Sequence, residues 1–324
     1  MGRVLLVPTG MLEWEGLPPA LGTLFPGNEF VSVPTKEERF SKPDLEFPIS
    51  SLCSSDIEKV SGRKNNADKL IERAALEAMS DARRGRADLV LILDDLELEN
   101  DSKAALVTAE MRLAVERHLA RPELAKDLVL QGRTREALKA KVSFHLARPM
   151  IESWILADPS GPTRAGVPPA RPALLAHGRD PEEFQADDAT YVAATDDPCT
   201  CWKAMPTHTG SLAKKKSKAT PAWVRAGSDR IRHPKAYLSW LCLDPAAPKC
   251  THYRETQGGK DALKALDWPA VVAGHPTGLP FLRAMIADIA DGLRQDPITG
   301  PAVGPEAPET SRFKLPPDPL LRNL

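Results

Sequence analysis

One stretch constrains this chain more than any other: Asp88 to Asn100, DLVLILDDLELEN. Five consecutive apolar residues, Leu89, Val90, Leu91, Ile92 and Leu93, run into four acids within six positions, Asp94, Asp95, Glu97 and Glu99. A short unbroken apolar run predicts a strand buried on both faces of a parallel sheet. In open α/β sheets ligands bind outside the carboxyl ends of the strands, and the acids stand at that end. Carboxylates so crowded repel one another unless a cation sits among them or they point apart into water. Mg²⁺ suits such a place, because it takes oxygen ligands and usually needs only one or two protein carboxylates plus phosphate oxygens. The alternative is an acidic strand-to-helix turn, where Asp and Glu favour the N-terminus of the next helix.

The flanking sequence repeats the pattern. Arg3 to Val7 reads as a short strand broken by Pro8, Thr9 and Gly10, and Leu17, Leu21, Leu24 and Phe25 have helical spacing. Phe30 to Val33 reads as a second strand, Pro34 to Ser50 as a loop, and Asn66 to Arg84 as an amphipathic helix. After the acidic stretch come a helix over Lys103 to Leu119, a strand over Asp127 to Leu130 and a short helix over Thr134 to Lys139. A strand over Lys141 to Ala147 then leads to a helix from Pro149 closed by Asp158 and Pro159. Alternating strands and helices predict a βαβ core with a mostly parallel sheet over residues 1 to about 160.

Beyond that point the texture changes. Of the 31 prolines, 22 follow Asp158, so residues 161–294 are expected to be irregular and α-rich, packed on the core. Short helices are expected near Pro181–Phe184, Pro234–Leu243 and Asp261–Leu266, and a long one over Leu279 to Leu293. Residues 295–324 form a Pro-rich tail without periodicity, expected to contribute little to the fold.

Charge is balanced, 43 basic against 44 acidic residues, so no general polyanion-binding field is expected and nucleic-acid contact has to come from local patches. The run Lys214, Lys215, Lys216 and Lys218, with Trp202, Trp223, Arg225, Arg230 and Arg232 around it, is such a patch; a solvated loop is the other reading. No apolar stretch is long enough to span a membrane, and the opening residues read as a strand rather than a signal peptide, so a cytoplasmic location is expected. Five cysteines do not make a secreted disulfide framework. Zinc at Cys199, Cys201, Cys242 and Cys250 is not expected, because structural sites usually have two-residue spacers between paired cysteines.

Three groups could carry chemistry: Thr9, Gly10 and Glu13 after the first strand; Asp94, Asp95, Glu97 and Glu99; and His145 with Glu152 and Asp158. Their order resembles a family. LLVPTGMLEWEGLPPAL looks like the opening of a TOPRIM-type domain, where a strand is followed by Glu-Gly and a second Glu three residues on. LVLILDDLELE occupies the place of that fold's Asp-x-Asp strand end. VSFHLARPMIESWILADP, HPKAYLSWL and HYRETQGGKDALKALDW are similar to segments of one uncharacterised TOPRIM-like family, so the resemblance covers about residues 1–275.

The resemblance implies a Rossmann-like TOPRIM domain over 1–160 and Mg²⁺- or Mn²⁺-dependent phosphodiester hydrolysis of DNA or RNA. It also implies a partner ATPase of AAA or ABC type encoded nearby, in a setting suggestive of phage defence. Glu13, Asp94, Asp95 and Glu97 would hold the metal, with His145 and Glu152 as acid/base or supporting groups. Thr9 departs from the pattern by standing where the family has its first Glu, and Glu13 or Glu15 then stands in. That departure keeps a second function open: a catalytically degenerate module that assembles with or regulates the ATPase. An anticodon-type RNA nuclease toxin is a weaker third.

Overall fold

The computed structural model describes residues 1–41, 49–54, 56–58, 64–80, 86–193, 228–242, 253, 255–295 and 319–324. Four parallel strands, β1 (Arg3–Pro8), β2 (Glu29–Ser32), β3 (Leu89–Asp95) and β4 (Val142–Ala147), form one sheet in the order β2-β1-β3-β4. The chain runs outward from β1 to β2, then crosses back over β1 to β3. The strand order therefore reverses between β1 and β3, and a crevice opens there at the carboxyl ends.

Strand alternation divides the apolar residues between two cores. Val4, Leu6, Leu89, Leu91 and Leu93 face one core, and Leu5, Val7, Val90 and Ile92 the other. The first core takes α1 (Met11–Leu24), the second α3 (Lys64–Ala78), α4 (Ala104–Leu119) and α6 (Leu128–Lys141). The connections also carry the short helices α2 (Lys36–Ser41) and α5 (Pro122–Ala125).

The C-terminal part closes over the first core. It comprises α7 (Glu152–Ala157), α8 (Gly161–Arg164), α9 (Ala189–Ala193), α10 (Ser228–Ile231), α11 (Pro234–Leu241), α12 (Lys260–Lys264), α13 (Trp268–Gly274) and α14 (Pro280–Leu293). Trp268, fully buried, donates from Nε1 to the Ala20 carbonyl at 3.0 Å. The fold is thus α/β, an all-parallel Rossmann-like sheet flanked by helices with a helical C-terminal part. No helix among the described residues is long and apolar enough to cross a membrane.

Three local expectations are corrected. Asp127 to Leu130 is not a strand. Asp127 caps α6 by accepting from the Leu130 N–H at 2.9 Å, while Leu128 and Val129 are exposed at the helix start. An apolar run this short does not separate strand from helix. The Pro34 to Ser50 segment holds α2, started by a capping box: Thr35 N–H donates to Glu38 Oε2 (2.9 Å) and Glu38 N–H to Thr35 Oγ1 (3.2 Å).

The third correction concerns the tail, whose last residues dock on the free edge of β4. Leu321 is fully buried in the second core. Asn323 accepts from Phe144 N–H at 2.9 Å and donates to Phe144 O at 2.7 Å, as an added strand residue would. Arg322 N–H reaches Val142 O at 2.7 Å, and its guanidinium binds Asp288 at 2.7 Å and also Asp291. Leu321→Ala is therefore expected to cost ~2–4 kcal/mol, in the range for truncating a buried leucine. Denaturant unfolding checks this, and an unchanged midpoint would leave the tail as an ornament.

Candidate active site at the switch point

The β1–β3 register pairs Pro8 with Leu93, and the Thr9 N–H continues the ladder to Leu93 O at 3.2 Å. Thr9 therefore meets Asp94, to which its hydroxyl donates at 2.5 Å. Asp94 Oδ2 accepts from the Leu52 and Cys53 N–H groups at 2.9 and 3.2 Å. Burial pushes the Asp94 carboxyl up, and hydrogen bonds from Thr9, Ser51, Cys53 and Leu52 oppose that. With its lone pairs so occupied, Asp94 fastens the strand ends and the 51–53 loop together. It is not placed as an open metal ligand.

Asp95 and Glu97 are the open pair. Leu96 between them is fully buried in the second core, so the two acids flanking it turn the other way, toward the crevice. Leu96 N–H continues to Ala147 O (2.9 Å) and Glu97 N–H to Pro149 O (2.7 Å). Asp95 accepts from Ile151 N–H at 3.0 Å through one oxygen. Burial, followed by the charges of Glu13, Glu152, Glu97 and Asp94, pushes the Asp95 carboxyl well above its ordinary range. Burial likewise raises Glu97 to about 7, opposed by Lys235 and reinforced by Glu152 and Asp94. Glu97 also holds φ 60° and ψ 157°, a region left almost entirely to glycine. Such strain costs ~1–3 kcal/mol and clusters at functional sites.

Glu13 comes from the first turn of α1, beneath Gly10. A Cβ at position 10 would lie 2.0 Å from Glu13 Oε2, so a larger residue there would displace the carboxylate from this position. Glu13 is buried, and its Oε2 has no hydrogen-bond partner among the described residues. Burial raises it to about 7; its own backbone N–H and Lys235 oppose, and Glu152 and Asp94 reinforce. Glu15 points away and pairs with Lys260 at 3.0 Å, since residues two apart on a helix do not share a face. Glu13 is thus the acid that faces the crevice. Glu152, at the start of α7 and also buried, accepts from the Tyr253 hydroxyl at 3.2 Å.

The C-terminal part completes the rim. Lys235, in the first turn of α11, is the cation acting on both Glu13 and Glu97, and it pairs with Glu255. Lys235, Tyr253 and Glu255 lie in HPKAYLSWL and HYRETQGGKDALKALDW, but spacing alone does not assign them to the acids.

Other candidates fall elsewhere. His145 faces α14, where its Nε2 meets Asp288 Oδ2 at 2.9 Å and Asn323 at 3.5 Å, because odd positions of β4 turn toward that helix rather than the rim. Asp158 is held by Arg164 (2.9 Å), Ser160 and Asp267 N–H as a staple beyond α7. Glu99 accepts from Asp56 N–H at 3.0 Å. Arg230 is buried over the Tyr191 ring at 4.4 Å. Cys242 is a buried free thiol facing Ala165 O. Lys214, Lys215, Lys216, Lys218, Cys199, Cys201 and Cys250 lie outside the described residues.

The donor set is all oxygen, which suits Mg²⁺ or Mn²⁺, and the unpartnered Glu13 oxygen is the kind of atom a cation would satisfy. Among the described residues no three ligands are gathered closely enough to enclose a metal by themselves. Mg²⁺ usually retains waters and takes substrate oxygens instead of a complete protein cage. No family model, curated protein or solved structure matches the chain.

The raised carboxyls fix a pH dependence. At Glu97 the folded state holds its proton up to about pH 7, whereas the unfolded chain releases it near 4.5. Between these values the native state binds more protons, so this contribution to stability is lost as pH rises. Depressed histidines such as His233 act in the opposite sense, so Glu97→Gln is the comparison. Relative to that variant, the metal-free wild type is expected to lose stability from pH 5 to pH 8. Mn²⁺ should restore it at pH 8 and not at pH 5, as followed by thermal unfolding. Glu97→Gly should remove the metal effect yet raise stability by ~1 kcal/mol, because glycine relieves the strained φ at a smaller entropic cost.

Proposed function

We propose that this chain is a TOPRIM-like, divalent-metal-dependent nuclease subunit that hydrolyses phosphodiester bonds in concert with a partner ATPase of AAA or ABC type. One observation carries the reading: buried and half-buried acids from three separate segments meet at the sheet's switch point, with Glu13 lodged against Gly10 and its Oε2 unpartnered among the described residues, Asp95 accepting from Ile151 N–H at 3.0 Å, Glu97 N–H bonded to Pro149 O, and Glu152 following at the start of α7. Acids gathered at the ligand-binding edge of a parallel sheet repel one another, and a divalent cation is the ligand that would relieve that repulsion. The partner comes from the resemblance alone.

When bound, Mg²⁺ or Mn²⁺ would polarise a phosphoryl oxygen and favour a nucleophilic water. Asp95 and Glu97 present the ligand oxygens. Glu13, poised near neutrality, either completes the shell or takes a proton from the attacking water. Tyr253 orients Glu152 at the border, and Lys235 balances part of the charge.

A second reading has its own support. Thr9 puts a hydroxyl where the family has an acid, and that hydroxyl is spent on Asp94. A module that has lost chemistry but kept its rim would assemble with the ATPase and cleave nothing.

The test mixes the chain and the neighbouring ATPase with DNA and with RNA, with and without Mn²⁺. Asp95→Asn and Glu97→Gln are each expected to lower cleavage by about a hundredfold or more. Asp94→Asn should chiefly lower stability. Cleavage untouched by the first two variants would put the chemistry elsewhere. Intact assembly without cleavage of either nucleic acid would favour the degenerate module.

A further inference from the structure

A second cleft adjoins the acid rim and gathers three arginines. It has a volume of about 210 Å³ and is lined by Leu98, Asp101, Arg148, Pro149, Arg179, Arg232 and acids of the 182–183 turn. Leu98 follows Glu97 directly, and Pro149 carries the carbonyl that receives the Glu97 N–H, so one wall is shared with the acid site.

The three arginines come from three separate segments. Arg148 Nε donates to Asp101 Oδ1 at 2.6 Å, and Arg232 binds the other oxygen of the same carboxylate. Asp101 thereby holds two guanidinium groups side by side, with donors to spare. Arg179 is exposed and has no ion pair among the described residues. Glu182 turns its oxygens away, accepting from Trp154 Nε1 (3.1 Å) and from the Phe281 and Leu282 N–H groups (both 2.8 Å). Glu183 is mostly exposed and stands 3.7 Å from Arg148. The cleft therefore carries two arginines held by Asp101 and an exposed third, against Asp101, a loosely held Glu183 and Glu182, whose oxygens are bonded elsewhere. Planar forks gathered in this way match phosphate oxygens.

We propose that this arginine cleft is a phosphate-binding site that anchors a backbone phosphate of the nucleic-acid strand beside the acid rim. The assignment of a strand as its ligand rests on the nuclease reading; the preference for phosphate rests on the arginines alone.

The test uses the full chain in EDTA, so that no cleavage takes place, with a fluorescein-labelled single-stranded oligonucleotide and with inorganic phosphate. Arg179→Ala with Arg232→Ala is expected to weaken oligonucleotide binding about tenfold or more, the loss of charge-assisted hydrogen bonds. It should also flatten the logarithmic salt slope by ~1, as single-strand counterion release predicts for one or two lost contacts. Inorganic phosphate should compete with the oligonucleotide on the wild type and not on the variant. Should the double variant misfold, Arg179→Glu alone, at an exposed position, is expected to weaken binding in the same direction. Phosphate binding lost in the variant with unchanged oligonucleotide binding would make this a free-phosphate site and overturn the strand anchor. Equal affinity and slope for both probes would overturn the site itself. Because the readout is metal-free binding, loss of the nuclease reading through Asp95→Asn and Glu97→Gln would leave it standing, and its failure would leave the acid site standing.

Discussion

The buried carboxylate of Asp94 is the fastening on which the rim depends. It ties the end of β1 through Thr9, the end of β3 through its own backbone, and the 51–53 loop through two N–H groups. Removing it would leave those donors unsatisfied inside the protein, at ~1–3 kcal/mol each. Only with that corner fixed can Asp95 and Glu97 be held facing the crevice and Glu13 be wedged beneath Gly10. Thr9 is therefore a structural partner of Asp94. Its hydroxyl aligns the end of β1 with the strand end that carries Asp95.

The other acids are held against their own preferences. Desolvated carboxyls near one another raise each other's pKa, and each one ionised makes the next harder to ionise. Glu97 adds a backbone conformation that any non-glycine residue resists. Such costs persist only where the surroundings over-determine the geometry. Two full cores do so here: Val4, Leu6, Leu89, Leu91 and Leu93 against α1 and the C-terminal helices, and Leu5, Val7, Val90 and Ile92 against α3, α4 and α6. Rigidity on both sides of the sheet sustains strain at its edge.

How much of this was legible in the sequence follows from what period and punctuation can carry. β3 and its acids were readable because a fully buried parallel strand is a continuous apolar run, and such a run has few other uses. β1, β2, β4 and α14 were readable for similar reasons. DLVL before α6 was misread because four residues carry no period and Asp127 serves equally as a turn or as a cap. The choice between Asp94 and Asp95 was not legible either. It depends on which acid receives the Leu52 and Cys53 amides, a contact across more than forty residues. His145 looked chemical because it stands one strand from the acids, yet strand parity turns it to Asp288. The docking of Leu321 and Asn323 on β4 was hidden by the absence of periodicity, since three residues filling an edge need no pattern.

The two halves of the rim differ in charge, one crowded with acids and the other carrying arginines, and that asymmetry constrains how they work together. Acids crowd the β1–β3 crevice, while arginines converge beyond the 97–101 turn and the 148–149 corner. A polyanion meeting the acid rim alone is repelled. On the proposed reading, a divalent cation among the acids would remove that repulsion, and a phosphate held by the arginines would add negative charge that draws the cation in. The two ligands would then favour each other's binding by the same free energy, as linkage requires. Lys235 already supplies part of that neutralisation from within the fold, and its pairing with Glu255 places it on the same C-terminal part that carries Arg232. The added C-terminal region is therefore more than a cover for the first core: it brings positive charge to a sheet edge whose own residues are almost all acids.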